Sequence, residues 1–311
     1  MKSVIVTQSY KLDYEECVLL CESIDKFVPE NIIHYIFVND EDLQLFTSLG
    51  SKRRVILPKS LVLPQWLLRV PFKILGHHFH VSFLTIPVRE WIIQQIVKLG
   101  VWEVLDPSID VFFNIDSEGV FMNYFKEDTY WNDGRLRLYR VHNPQMPSRM
   151  DYFKAAKKLL YINESLSEIS YYDYMVIPMG FRRDVLSSLC KMIGEKHWSG
   201  NWKIALMNTY RFSENYLYAL YTSYIADKNM QKHFIVNNRT FLTLEYMNFF
   251  SEEAVRSKVI EILSNSEIQG ITFQKKGSKY RDVRSLVSFS FIKQLAVSYT
   301  HLRAHETAAN L

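Results

Sequence analysis

The first half of the chain is a succession of short apolar runs, each followed by polar residues, and the spacing of the apolar positions changes from run to run. Residues 4–7 form a β-branched run that reads as a strand, with Gln8, Ser9 and Tyr10 turning after it. From Asp13 the apolar positions move to helical spacing, placing Cys17, Leu20, Cys21, Ile24 and Phe27 on one face, and Pro29 stops that helix. Residues 32–38 predict a second strand. The acidic Asn39-Asp40-Glu41-Asp42 follows and leads into a helix ending near Gly50, and residues 54–57 predict a shorter third strand. Residues 61–75 are apolar but broken by Pro64 and Pro71 and studded with Trp66, Arg69 and Lys73. That composition suits a membrane surface or a partner; a loop packed on the domain is the expectation. Residues 90–99 are a clear amphipathic helix, with Trp91, Ile92, Gln95, Ile96 and Leu99 on its buried face and Gly100 ending it.

The organising stretch is residues 111–121, VFFNIDSEGVF. Its nearly continuous apolar run suits a strand covered on both faces, and Asp116 and Glu118 follow directly. In extended geometry the two carboxylates would share one side while Ser117 points away. Two like charges at the mouth of a buried strand repel unless a cation or a ring of donors compensates them. A divalent metal diphosphate would do so, whereas ordinary acids in a solvated turn are the plainer account. Beyond it, residues 126–134 read as a polar, aromatic loop that could act as a lid. Residues 135–141 alternate as a half-exposed or edge strand, 150–162 as a helix, 174–178 as a strand and 181–196 as a helix that starts with Arg182 and Arg183. Those two arginines suit either phosphate or the surface. Residues 202–209 are a short helical run. Ser213 is the expected cap of the next helix, whose first turn holds Glu214 and whose tyrosines, Tyr216, Tyr218, Tyr221 and Tyr224, read as core before they read as a sugar-stacking platform. His233 precedes a strand, where a structural role is more common than metal ligation. A capped helix over 251–263 and a basic stretch with Lys275, Lys276, Lys279, Arg281 and Arg284 close the pattern.

Composition narrows the classes. The chain has 311 residues, 48% of them hydrophobic, enough for one large α/β core or two small ones. Its 37 basic and 33 acidic residues leave a net charge of +4, so nucleic acid is not an expected partner. Three cysteines, Cys17, Cys21 and Cys190, make no even disulfide framework and no zinc spacing, which fits a reducing cytoplasm. No apolar run is long enough to span a bilayer, so membrane contact would be peripheral. Residues 298–311, SYTHLRAHETAANL, resemble translated sequencing-adapter sequence and are set aside as a non-native tail.

Taken in order, the strand TQSY, the strand IFVND, the helix WIIQQIVKL, the strand FNIDSEG and the later FSENYLYALY resemble a bacterial family of glycosyltransferase-like proteins with the GT-A nucleotide-sugar-transferase fold. The resemblance implies an α/β fold with a Rossmann-like mixed central sheet flanked by helices, in one large domain over residues 1–297. Residues 1–125 would form the nucleotide-sugar half and 126–297 the acceptor half. It implies a metal-assisted transfer of sugar from a nucleotide-diphosphate donor to a hydroxyl of a saccharide or glycoconjugate acceptor, in surface-polysaccharide assembly, in the cytoplasm or at the inner membrane face. Asp116 and Glu118 would hold Mn²⁺ or Mg²⁺. The family's usual motif is Asp-x-Asp, so Glu118, one methylene longer, shifts the metal or weakens the dependence on it. Thr7 and Ser9 would border the nucleotide pocket and Asp40 would contact the nucleoside; read from the residues alone, Asp40 is equally a helix N-cap, and Gln95, like Gln94, could hydrogen-bond a ligand, although a solvated helix glutamine is the plainer account. Glu214 would be the general base. A GT-A-like interaction module without activity is the alternative, and a nucleotidyltransferase ranks lower because no glycine-rich phosphate loop follows the first strand.

Overall fold

A computed structural model describes residues 1–74, 76–142, 149–163, 172–245, 264–265 and 267–274. The expected helix over 251–263, the basic residues from Lys275 to Arg284 and the tail 298–311 lie outside the described residues. In chain order the strands are β1 (Ser3–Gln8), β2 (Ile33–Val38), β3 (Arg54–Pro58), β4 (Leu68–Arg69), β5 (Phe79–Val81), β6 (Val88–Arg89), β7 (Val111–Asn114) and β8 (Gly119–Phe121). They continue as β9 (Trp131–Asn132), β10 (Arg135–Tyr139), β11 (Val141–His142), β12 (Tyr172–Asp173), β13 (Met179–Arg182), β14 (His233–Val236), β15 (Phe241–Glu245) and β16 (Gly270–Gln274). The helices are α1 (Tyr14–Phe27), α2 (Leu43–Phe46), α3 (Glu90–Gly100), α4 (Met150–Leu160), α5 (Arg183–Lys196), α6 (Trp202–Met207) and α7 (Glu214–Tyr221). The described chain forms two compact units.

The first unit comprises Met1–Gln8, Ile32–Ile115 and Glu127–Asn238. Its main sheet has the order β13-β7-β1-β2-β3. β7, β1, β2 and β3 run parallel, and only β13 is antiparallel, against β7. This is the mixed, parallel-rich α/β sheet the apolar runs predict. Every residue of β1 and β7 is buried, which is why both read as unbroken runs rather than alternating ones. Val4, Val6 and Phe112 pack with Ile92, Ile93 and Ile96 of α3 in one core that also takes in α5, α6 and α7. On the opposite face Phe113 meets Tyr130, ring centroids 5.0 Å apart. α3 comes close to α6 because Gly100 has no side chain: a Cβ there would stand 2.5 Å from Val62 and 3.2 Å from Trp202. Gly100 does end the helix, but with φ −101° it is a close-approach glycine and not a left-handed cap.

Several local expectations change. Residues 61–74 do more than pack on the domain through Val62, Leu63 and Leu67: Leu68–Arg69 joins the segment that follows in a three-stranded antiparallel ribbon, β4-β5-β6, that leaves Leu68, Phe72, Phe83 and Ile86 exposed. Residues 126–134 are not a bare loop, because β9 and β10 form a hairpin turned at Asp133 and Gly134, both with positive φ. The strand expected at 174–178 is replaced by β12 and β13 on either side of it. Ser213 makes no capping hydrogen bond. Asn201, by contrast, caps α6 by accepting from the amides of Lys203 and Ile204.

The second unit comprises Ser9–Asn31, Asp116–Lys126 and the described residues from Arg239 onward. Here β15 and β16 are parallel, and β8 joins β16 antiparallel. Cys17, Leu20, Cys21, Ile24 and Phe27 are buried in α1, as its spacing predicts. Ser23 of α1 accepts the amide of Phe121 at 3.1 Å, which fixes β8 along the helix.

Candidate functional site

An open parallel sheet binds ligands beyond the carboxyl ends of its strands, at the point where the strand order reverses. Here the chain lays β2 and β3 on one side of β1 and then returns to place β7 on the other, so the reversal falls between β1 and β7. β1 ends in Gln8 and β7 in Asn114, and the next residues are Ser9 after Gln8 and Ile115 and Asp116 after Asn114. Gln8 is 8% exposed and Asn114 5%. The amide nitrogen of Gln8 donates to the carbonyl of Gln94 in α3 at 2.6 Å. Its Oε1 and both amide atoms of Asn114 are buried with no hydrogen-bond partner. Leaving buried polar atoms unpaired costs about 1–3 kcal/mol each, so a concentration of them at one sheet edge marks a place that a polar ligand or ordered water completes.

Along the same edge, past β2 and β3, lies an ionic network that the sequence did not suggest. Lys59 is 3% exposed. It donates to Oδ1 of Asn39 at 2.9 Å and lies 3.6 Å from Glu90 at the start of α3. Asn39 in turn donates to Asp42 at 3.1 Å. Arg69 of β4 pairs with Glu41 and, at 3.7 Å, with Glu90. His80 stands 3.6 Å from Glu90. Burial pushes its imidazole down to about 4; Glu90 opposes that shift, while Arg69 and Lys59 reinforce it. His80 is therefore neutral at pH 7, and Glu90 is balanced by Lys59 and Arg69. The sole sequence signal for this network was the absence of any acid between Lys59 and Arg89.

The expected site residues fall as follows. Thr7 is fully buried and its hydroxyl is bonded to Nε2 of His34 at 2.9 Å. Asp40 is exposed and accepts from Ser60; it makes no capping bond to the helix after it. Gln95 is buried and donates to the carbonyl of Trp91 in its own helix at 3.2 Å. Trp91, expected on the buried face of α3, is instead 37% exposed. Asp116 and Glu118 are both half-buried, but the chain between them is not extended. The amide of Gly119 donates to the carbonyl of Asp116 at 2.9 Å, closing a four-residue turn, because Gly119 immediately starts β8 in a new direction. Among the described residues no three His, Cys, Asp or Glu side chains are grouped to hold a metal. Two carboxylates on one turn fit a hard cation completed by substrate oxygens and water, and do not fit a cation caged by protein alone.

Glu214 opens α7 and is 5% exposed. Lys98 of α3 donates to its Oε1 at 2.9 Å, and the Ser213 hydroxyl lies 3.3 Å from Oε2. Neither Arg182, at the end of β13, nor Arg183, at the start of α5, is open to a phosphate. Arg183 donates to the carbonyls of Trp102, Ile109, Leu105 and Asp106, and Arg182 is engaged by Asp184 and the carbonyl of Gly134. His233 has the structural role its isolation suggested: Nδ1 bonds Asp227 at 2.9 Å and Nε2 bonds the Tyr218 hydroxyl at 3.0 Å.

Among solved structures, the chain is similar to a galactosyltransferase, LgtC, in complex with donor and acceptor sugar analogs, at 8% identity and a TM-score of 0.46, covering 95% of each chain. It is also similar to the apo structure of the bifunctional glycosyltransferase WbbM, at 10% identity and a TM-score of 0.49. That match covers 94% of this chain and 49% of the other, so the chain spans about half of that protein. No curated protein matches. The model of one protein family, described as "Family of unknown function (DUF6492)", matches residues 3–259, most of the chain, and the protein belongs to that family.

Proposed function

We propose that the protein is a glycosyltransferase that takes its sugar from a nucleotide-diphosphate donor. The observation that carries this reading is the set of unpaired buried polar atoms on Gln8 and Asn114 at the strand-order reversal, where α/β proteins receive nucleotides. Gln8 and Asn114 supply acceptors and a donor for a nucleotide's base or ribose. Asp40, exposed at the carboxyl end of β2, suits a ribose hydroxyl. Thr7, fully buried and bonded to His34 within the sheet, is assigned to positioning the end of β1. Gln95, bonded within α3, is assigned to packing. Asp116 and Glu118 would hold a divalent cation, Mn²⁺ or Mg²⁺, which when bound offsets charge on a leaving diphosphate. Glu214 is the proposed carboxylate on the acceptor side; its pairing with Lys98 supports holding and orienting over direct abstraction of a proton. The acceptor is a hydroxyl of a saccharide or glycoconjugate. The exposed apolar side chains of the β4-β5-β6 ribbon, in a stretch without acids, support peripheral contact with an anionic membrane face. No helix among the described residues is long and apolar enough to cross a membrane.

The test is thermal shift with UDP-, GDP- and CMP-sugars, with and without Mn²⁺, on the parent chain and on Asn114→Ala and Asp116→Ala. One nucleotide class raises the melting temperature, Asn114→Ala loses the shift, and Asp116→Ala loses its metal-dependent part. If no nucleotide stabilises the protein, the reading is wrong. Nucleotide binding without sugar transfer or donor hydrolysis selects the second reading, a binding module without activity, which the Lys98 lock on Glu214 favours.

A further inference from the structure

A cavity lined by neither Gln8 nor Asn114 lies in the first unit, with a volume of about 460 Å³, in the range of small-molecule sites. Its wall is aromatic. Trp91 of α3 and Tyr152 of α4 stack with centroids 5.6 Å apart at 26°, and Tyr210 also lines it. Its charge is cationic. Arg211 lies over the Tyr152 ring at 4.8 Å and Arg89 over the Tyr210 ring at 5.5 Å. A guanidinium laid on a ring keeps its in-plane N–H donors pointing outward, ready for a planar anion. Arg211 spends one of them on Asp151 at 3.3 Å and one on the Tyr152 hydroxyl at 3.3 Å, and keeps the rest. Glu90, the one acid of the lining, is matched by Lys59 and Arg69, so it does not cancel the arginines. Two histidines, His77 and His78, complete the lining. Flat apolar plates take the C–H faces of sugar rings, and arginines held beside them take a carboxylate or phosphate.

Resting on the glycosyltransferase reading, we propose that this cavity binds the acceptor and that the acceptor is an acidic saccharide, bearing a carboxylate or a phosphate. The arginines select the anion, the Trp91–Tyr152 pair selects the ring, and together they exclude neutral sugars and free anions as good ligands.

Calorimetric titration of the full chain with glucuronic acid, glucose 6-phosphate, glucose, inorganic phosphate and uridine monophosphate tests it. At least one acidic sugar is expected to bind about tenfold more tightly than glucose, the size of one charge-assisted hydrogen bond. Arg89→Ala and Arg211→Ala remove that advantage and leave glucose unchanged, Trp91→Ala weakens every sugar, and none of the three alters stabilisation by the nucleotide sugar. Which acidic sugar binds separates carboxylate from phosphate. Equal binding of glucose and the acids overturns the proposal, as do arginine variants with parental affinity. Inorganic phosphate binding as well as the sugar phosphate reduces the cavity to an anion site, and uridine monophosphate binding there in an Arg89-dependent way makes it part of the donor site; either result also overturns it. Failure of the acidic sugars with nucleotide-sugar stabilisation intact removes this proposal alone, whereas loss of both removes the functional reading beneath it.

Discussion

The Lys98–Glu214 pair separates a structural carboxylate from a reactive one. Its atoms are 2.9 Å apart and its side chains are 13% and 6% exposed. At an effective dielectric constant near 20, charges at that distance attract by about 6 kcal/mol, from which the cost of taking both out of water must be subtracted. Breaking such a pair from one side leaves an uncompensated buried charge and costs about 3–5 kcal/mol, while replacing both partners with apolar groups of similar volume is close to neutral. Lys98→Met should therefore destabilise by about 3–5 kcal/mol, Glu214→Gln by somewhat less because the amide still accepts from the ammonium, and Lys98→Met with Glu214→Leu should recover most of the loss. Guanidinium titration of the parent, Lys98→Met, Glu214→Leu and the double variant at pH 7.5 gives the coupling directly. Single variants that each cost under about 1 kcal/mol, with no coupling, refute the buried-pair reasoning. A Glu214→Gln protein that folds normally yet loses transfer by orders of magnitude would return Glu214 to the role of general base.

Four further outcomes follow from the structure. His233 is pushed by burial down to about 4, against the pull of Asp227, so the folded protein holds it neutral while the unfolded chain protonates it near 6.5. Stability should therefore be complete above pH 6.5 and fall by about 3 kcal/mol as pH drops towards 4; denaturation at pH 7.5, 6 and 5 measures it, and His233→Gln should flatten the slope. His80, displaced the same way, adds a similar acid loss that His80→Gln removes. Gly100→Ala should cost about 1–3 kcal/mol by overpacking, and Val62→Ala should restore part of it, read as melting temperatures. Vesicles rich in phosphatidylglycerol should sediment the protein, and Phe72→Ser with Phe83→Ser should release it; equal binding to neutral vesicles rules out the charge contribution.

Much of the sheet was legible because burial on both faces writes itself as unbroken apolar runs: residues 4–7, 32–38 and 111–115 each became a parallel strand. The amphipathic spacing of α1 and α3 was equally direct. What the sequence could not carry was anything built by contact across the sheet. Lys59 and Glu90 are 31 positions apart and meet only because β3 delivers one and the ribbon returns to deliver the other. Gln8 and Asn114 look like ordinary strand-end amides until the strand order sets β1 beside β7. The alternation argument for Asp116 and Glu118 assumed the strand continued, whereas Gly119 starts another strand and a turn must fit between them. Trp91 sits at the rim of the α3 apolar stripe, and Tyr152, which covers it, is remote in sequence. The Asp133-Gly134 turn was an available hairpin signal hidden by the polar residues around it.

The short bond from the Gln8 side chain to the Gln94 carbonyl has one more implication. It ties the end of the first strand to the helix that also carries Glu90 and Trp91. One side-chain amide thereby pins a strand terminus to the helical segment whose first turn lines the aromatic cavity.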